Sequence, residues 1–243
     1  MKYWSTTILI VAMGITARAE QRQVTFEAPD GASLQGTFYS STHPGPGLLV
    51  LHECNGNRQN YDQLATMLGT AGYSVLTLEL RDHGVAGGRI AQRTPEQQKT
   101  TASDIEAALE FMKSQSIVNP RSLGVLASGC AVNEAVHASR RHPEIRALVL
   151  LSGGTDSEGE AYIRNSPNLP ILGVASEDDE ETAAAIQKLV EISTNNDSQI
   201  TLLSDGGYGA SLFAEHLDLE ADIVIWFRSS LSVAGYGLPP AIR

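Results

Sequence analysis

Cysteine is nearly missing from this chain: Cys54 and Cys130 are the two it has in 243 residues. They allow one internal pairing at most, which excludes a small fold built on disulfides. Metal-ligand spacings of the Cys-x-x-Cys or His-x-x-x-His kind are absent, and scattered acids with isolated histidines define no metal site. No cofactor is implied. Basic residues are also scarce, with 17 Lys and Arg against 28 Asp and Glu and a formal charge of −11. Such a surface repels phosphate backbones and anionic headgroups, which argues against nucleic-acid and membrane-surface partners. The glycine-rich stretch Gly84 to Arg89 is followed by no Lys-Ser or Lys-Thr and by no helix start in time, so it is not a phosphate loop. Internal repeats and low-complexity linkers are missing too.

The sequence opens with Met1-Lys2, runs apolar from Thr7 to Ala17, and reaches Ala17-Arg18-Ala19 before Glu20. A positive start, an apolar stretch too short to cross a bilayer and an Ala-x-Ala site read as a secretory signal peptide over residues 1–19. The expected mature protein is then residues 20–243, exported to the periplasm or secreted, with no membrane span after cleavage. Removing Lys2 and Arg18, and no acid, takes the formal charge from −11 to −13. Residues 20–243 suit one domain with a sizeable core. Residues 232–243, rich in Gly and Pro, read as a surface tail.

Strand and helix patterns alternate along that domain. Gln23 to Ala28 and Ser33 to Ser40 read as a hairpin turning at Asp30-Gly31, and His43-Pro-Gly-Pro-Gly reads as a turn or loop. Apolar strands are expected at Leu48 to His52, Tyr73 to Leu80, Leu123 to Leu126, Ile145 to Leu151, Pro170 to Ala175 and Ile200 to Leu203. Helices are expected at Tyr61 to Thr70, Gln97 to Ser114, Ala131 to Arg140, Glu181 to Ile192 and about Leu217 to Leu231. Fully apolar strands alternating with helices predict a mainly parallel sheet covered on both faces. The connection from Leu151 to Pro170 is too short for a large lid.

Sheets of this kind place their sites at the carboxyl ends of strands. Five stretches there carry suggestive residues: "LHECNGN" (Leu51 to Asn57), "LELRDHG" (Leu78 to Gly84), "LASGCAVN" (Leu126 to Asn133), "VASEDDEE" (Val174 to Glu181) and "DGGYGASLF" (Asp205 to Phe213). On these motifs the chain resembles the α/β-hydrolase superfamily, and in particular its small lidless dienelactone-hydrolase-like bacterial members. "GLLVLHECNGN" and "AGYSVLTLELRDHG" resemble that family's oxyanion-loop region, and "NPRSLGVLASGCAVN" resembles its nucleophile elbow. "ASEDDEETAAAIQKL" resembles the loop of the acid, and "DGGYGASLF" resembles the Gly-x-Gly-His-Gly loop of the histidine. The order nucleophile, acid, histidine is the one this fold uses.

The resemblance implies a three-layer α/β-hydrolase fold, with a mainly parallel sheet of about eight strands, helices on both faces, an N-terminal antiparallel hairpin and no large lid. It places the nucleophile on Gly129, the acid on Asp179 and the histidine on Tyr208. Glycine has no atom to attack a carbonyl, and a phenol of pKa near 10 does not shuttle a proton at neutral pH as imidazole does. Rescue residues are Ser128 and Cys130 beside the elbow and His216 as a base, with His52 and His83 also following strands. Each of these reads more simply as a packing or surface residue, and Asp179 as part of a solvated helix start. The resemblance further assigns the oxyanion backbone N–H groups to Cys54 and Cys130, with His52 and Glu53 in the same binding loop. It thereby brings the two cysteines together, as a disulfide or as two small buried thiols.

Two functions follow as expectations. One is an exported non-catalytic homologue that binds a small ligand (ester, lactone or carboxylate) or a protein partner. The other is an ester or lactone hydrolase using Ser128 or Cys130 with a non-standard base.

Overall fold

The computed structural model describes residues 20–81 and 94–232. The segment read as a signal peptide, His83, the stretch Gly84 to Arg89 and the tail beyond residue 232 lie outside the described residues.

The chain begins with β1 (Glu20–Glu27) and β2 (Ser33–Ser40), an antiparallel hairpin. Next come β3 (Gly45–Leu51), α1 (Asp62–Thr70), β4 (Ser74–Leu78), α2 (Pro95–Ser114) and β5 (Val118–Ser128). They are followed by α3 (Val132–Arg141), β6 (Ile145–Leu151), α4 (Ser157–Arg164), β7 (Ile171–Ser176), α5 (Glu180–Ile192) and β8 (Gln199–Leu203). The short α6 (Ser211–Glu215) and α7 (Leu219–Ser230) complete the described elements. The strands form one open sheet in the order β1-β2-β4-β3-β5-β6-β7-β8, parallel from β4 to β8.

Two apolar cores sandwich the sheet, because its central strands are buried on both faces. One face packs Leu49, Val125 and Leu148 under Ile105 and Met112 of α2, Val136 of α3 and Ile186 of α5. The opposite face packs Leu48, Val50, Leu126 and Val149 under Leu64 and Leu68 of α1 and Ile223 and Phe227 of α7. Continuous apolar strands, rather than alternating ones, are what double coverage requires.

The expected loop at His43-Pro-Gly-Pro-Gly is corrected: β3 already starts at Gly45. Gly45 donates its N–H to the Ile117 carbonyl at 3.0 Å, and the register slips between Gly45 and Gly47. Pro46, which cannot donate, therefore falls at the irregularity. Gly47 is there for space, since a β-carbon on it would lie 2.6 Å from Met112 Cε and 2.9 Å from Leu123 Cδ2. β5 also starts earlier than its apolar run, at Val118. The unanticipated α4 is capped by Asp156, whose carboxylate accepts the Gly159 N–H at 2.8 Å. It buries only Gly159 and Ile163, too little to leave a helical pattern in the sequence.

Gly47→Val should lower the unfolding free energy by about 1–3 kcal/mol through overpacking, measured as a lower urea midpoint with an unchanged m-value.

Candidate functional site

The elbow forms where β5 runs through a 3-10 turn, Gly129–Ala131, into α3. Ser128 is still extended (φ −122°, ψ 140°), while Gly129 turns the chain with φ +56°, in the left-handed region that glycine enters at little cost. A β-carbon on Gly129 would lie 1.9 Å from the Tyr208 hydroxyl oxygen, 2.6 Å from its Cζ and 3.0 Å from Glu53 Cβ. The tyrosine thus fills the volume a side chain at this turn would need. The carboxyl end of β6 packs behind the elbow, where Ser152 is held at φ 47° and a β-carbon on Gly153 would meet the Gly129 carbonyl oxygen at 2.4 Å.

Tyr208 arrives on a loop whose glycines Gly206, Gly207 and Gly209 all have positive φ. Ser211 ties this loop down: its hydroxyl accepts the Tyr208 N–H at 3.0 Å and lies 2.7 Å from the Gly206 and Tyr208 carbonyls. The acid loop is joined to it through Asp178, which accepts the Gly207 N–H at 3.2 Å and the Ser176 hydroxyl. Asp179 lies beside this junction at the head of α5, 3% exposed.

The loop after β3 is fixed from behind by His52, which is 1% exposed. Its Nε2 accepts the Leu80 N–H at 3.1 Å, which leaves the proton on Nδ1, 2.7 Å from the Glu53 carbonyl. His52 therefore braces the loop and does not line its open side. Glu53 turns inward, and the Tyr61 hydroxyl donates to its Oε2 at 2.6 Å. Burial, with the negative charge of Glu53 beside it, pushes the Tyr61 hydroxyl well above the ordinary tyrosine range, so Tyr61 stays a donor. Cys54 and Cys130 are joined as a disulfide with a Cα separation of 5.8 Å, tying this loop to the elbow.

That bond occupies the Cys130 sulfur. Ser128 is fully buried and turned toward Tyr61. His216 places its Nε2 2.8 Å from the Asp205 carbonyl and 3.1 Å from Asp205 Oδ1. The imidazoles of His52 and His216 are thus engaged by the backbone of Leu80 and Glu53 and by Asp205.

A crevice of about 690 Å³ opens beside the elbow, with Glu53, Gln63, Tyr208, Phe213, Leu217 and Glu220 in its wall. Glu220 accepts from the Gln63 amide, and burial raises its carboxyl above the usual range. Tyr61, Gln63 and Glu220 carry no local motif; α1 and α7 bring the last two together only once they pack on the same face of the sheet. No group of three or more metal-ligating side chains occurs among the described residues. No described helix is long and apolar enough to cross a membrane.

The Dienelactone hydrolase family model matches residues 34–209. Two Mycobacterium tuberculosis proteins, named Uncharacterized protein MT2364 and Uncharacterized protein Rv2307c, are each 35% identical over 153 residues, 62% of this chain. The match spans 51% of the length of each, so the chain covers about half of those relatives. Similar solved structures include a dienelactone hydrolase from Anabaena variabilis (TM-score 0.70, 15% identity, 88% of this chain and 100% of that one). Another is the esterase Pf2001 of Pyrococcus furiosus (TM-score 0.68, 15% identity, 87% of this chain and 93% of that one).

Replacing both cysteines by serine should lower the unfolding free energy by about 4 kcal/mol, because the bridge closes a long loop in the unfolded chain; urea titration of both proteins reads the difference. Glu220→Gln should raise the melting temperature at neutral pH. A carboxyl whose folded pKa is raised destabilises the fold above that value and not below its unfolded pKa, so the gain should vanish as a pH series of melting curves passes below the ordinary carboxylate range.

Proposed function

The chain belongs to the dienelactone hydrolase family, and from that premise we propose that it is a non-catalytic member, which uses the crevice beside the elbow to bind a ligand or a partner. The observation that carries this reading is the Tyr208 hydroxyl, 1.9 Å from where a nucleophile's β-carbon would stand. A serine or cysteine at Gly129 would collide with it, and neither glycine nor tyrosine supplies the attacking atom and the imidazole that acyl transfer in this fold requires. The competing reading, ester or lactone hydrolysis through Ser128 or Cys130, loses support because the one is buried against Tyr61 and the other is held in a disulfide. The solved relatives named as esterases and as a dienelactone hydrolase are similar in fold; their chemistry is not carried over.

We place the protein outside the cytoplasm. The support is the Ala-x-Ala site before Glu20 in the sequence and a bonded cysteine pair, which persists in oxidising compartments.

Oxidised and reduced protein should show no turnover of a p-nitrophenyl ester series above a heat-inactivated control. Turnover abolished by Ser128→Ala or Cys130→Ala overturns the reading. Gly129→Ser alone should be folded less stably and remain inert. Gly129→Ser with Tyr208→His should gain measurable ester hydrolysis, and an inert but folded double variant would mean that more than these two positions has departed from a working site. Intact mass of protein expressed with its full leader should correspond to a chain starting at Glu20.

A further inference from the structure

The crevice has a definite chemical character. Glu53 and Glu220 are 6% and 4% exposed, and both reach its wall. Their hydrogen bonds come from neutral donors, the Tyr61 hydroxyl and the Gln63 amide. Neither forms an ion pair among the described residues, so two carboxyl groups largely removed from water have only neutral partners there. No described lining residue is basic. The remaining wall is not acidic. The rings of Tyr208 and Phe213 stand in it, Leu217 at its rim is 80% exposed, and Ala210 and Ala214 lie between. At about 690 Å³ the space is that of a small-molecule pocket rather than of a single ion.

We propose that this crevice binds a small organic cation, a primary ammonium group on an apolar body, with the ammonium between the Glu53 and Glu220 carboxylates and the body against Phe213 and Leu217. The proposal rests on the reading of the site as one that binds rather than hydrolyses. An ammonium supplies three donors and the missing positive charge, and ring faces attract cations held near them. A carboxylate would enter against two like charges, and a neutral alcohol would leave both uncompensated. Burial raises the Glu220 carboxyl, as expected of an acid with no positive charge beside it among the described residues.

Calorimetric titration with three probes that share one phenylpropyl skeleton tests this: 3-phenylpropylammonium, 3-phenylpropanol and 3-phenylpropionate. The expected order is ammonium first, with the carboxylate weaker by on the order of tenfold or more, and with the ammonium affinity falling as salt is raised. Glu220→Gln keeps the contact to Gln63 and should weaken the ammonium by on the order of tenfold while leaving the alcohol unchanged. Glu53→Gln is the second variant, should the first disturb the fold. Equal or tighter binding of the carboxylate or the alcohol, or no binding by any probe, overturns the proposal. Ester turnover in the same preparations would instead sink the non-catalytic reading, so the two failures are told apart.

Discussion

The packing of one phenol against one α-carbon governs this site. Because Gly129 has no side chain, the Tyr208 hydroxyl rests on the elbow backbone, and because Tyr208 rests there, no side chain fits at Gly129. The tyrosine requires the glycine, and the glycine leaves room for the tyrosine. A nucleophile elbow normally holds its non-glycine residue in a conformation costing on the order of 1–3 kcal/mol, and glycine removes that strain. The surrounding glycines follow from the same constraint, since the loop that delivers the ring passes through three positive-φ positions. A β-carbon on Gly209 would lie 2.8 Å from the Glu53 carboxyl carbon, so the Glu53 side chain of the loop after β3 packs directly on the backbone of this loop.

Around that contact the walls are firmly held. His52, the Tyr61–Glu53 hydrogen bond and the disulfide fix the loop after β3 from three directions. Arg58, just beyond it, pairs with Glu79 at 2.8 Å and ties the 3-10 turn Arg58–Tyr61 to the end of β4. These contacts hold one wall of the crevice in place. Preorganised polar walls suit binding as well as catalysis, since neither asks the protein to reorganise when the ligand arrives.

The sequence made the sheet legible because double burial leaves an unmistakable trace, a run of apolar residues at β3, β5, β6 and β7 with little alternation. It hid the beginning of β3 because Pro and Gly signal turns by their backbone preferences, while here Gly47 answers to the side chains of Met112 and Leu123. It hid α4 because eight residues with two buried positions have no period to detect. Gly129 and Tyr208 could be singled out because they stand inside motifs that resemble the family's. Glu220 and Gln63 could not, because their proximity exists only after α1 and α7 dock on the same face. The acidity of the crevice is therefore a tertiary property.

The bridge between Cys54 and Cys130 also shapes how the molecule is made. With two cysteines there is a single intramolecular pairing, so oxidation cannot trap a scrambled isomer and calls for no isomerase to correct it. The partners are 76 positions apart, on loops that follow the neighbouring strands β3 and β5. The pairing of β3 with β5 sets those loops side by side, across a stretch of chain that holds α1, β4 and α2. The bond thus staples the middle of the sheet rather than one of its edges.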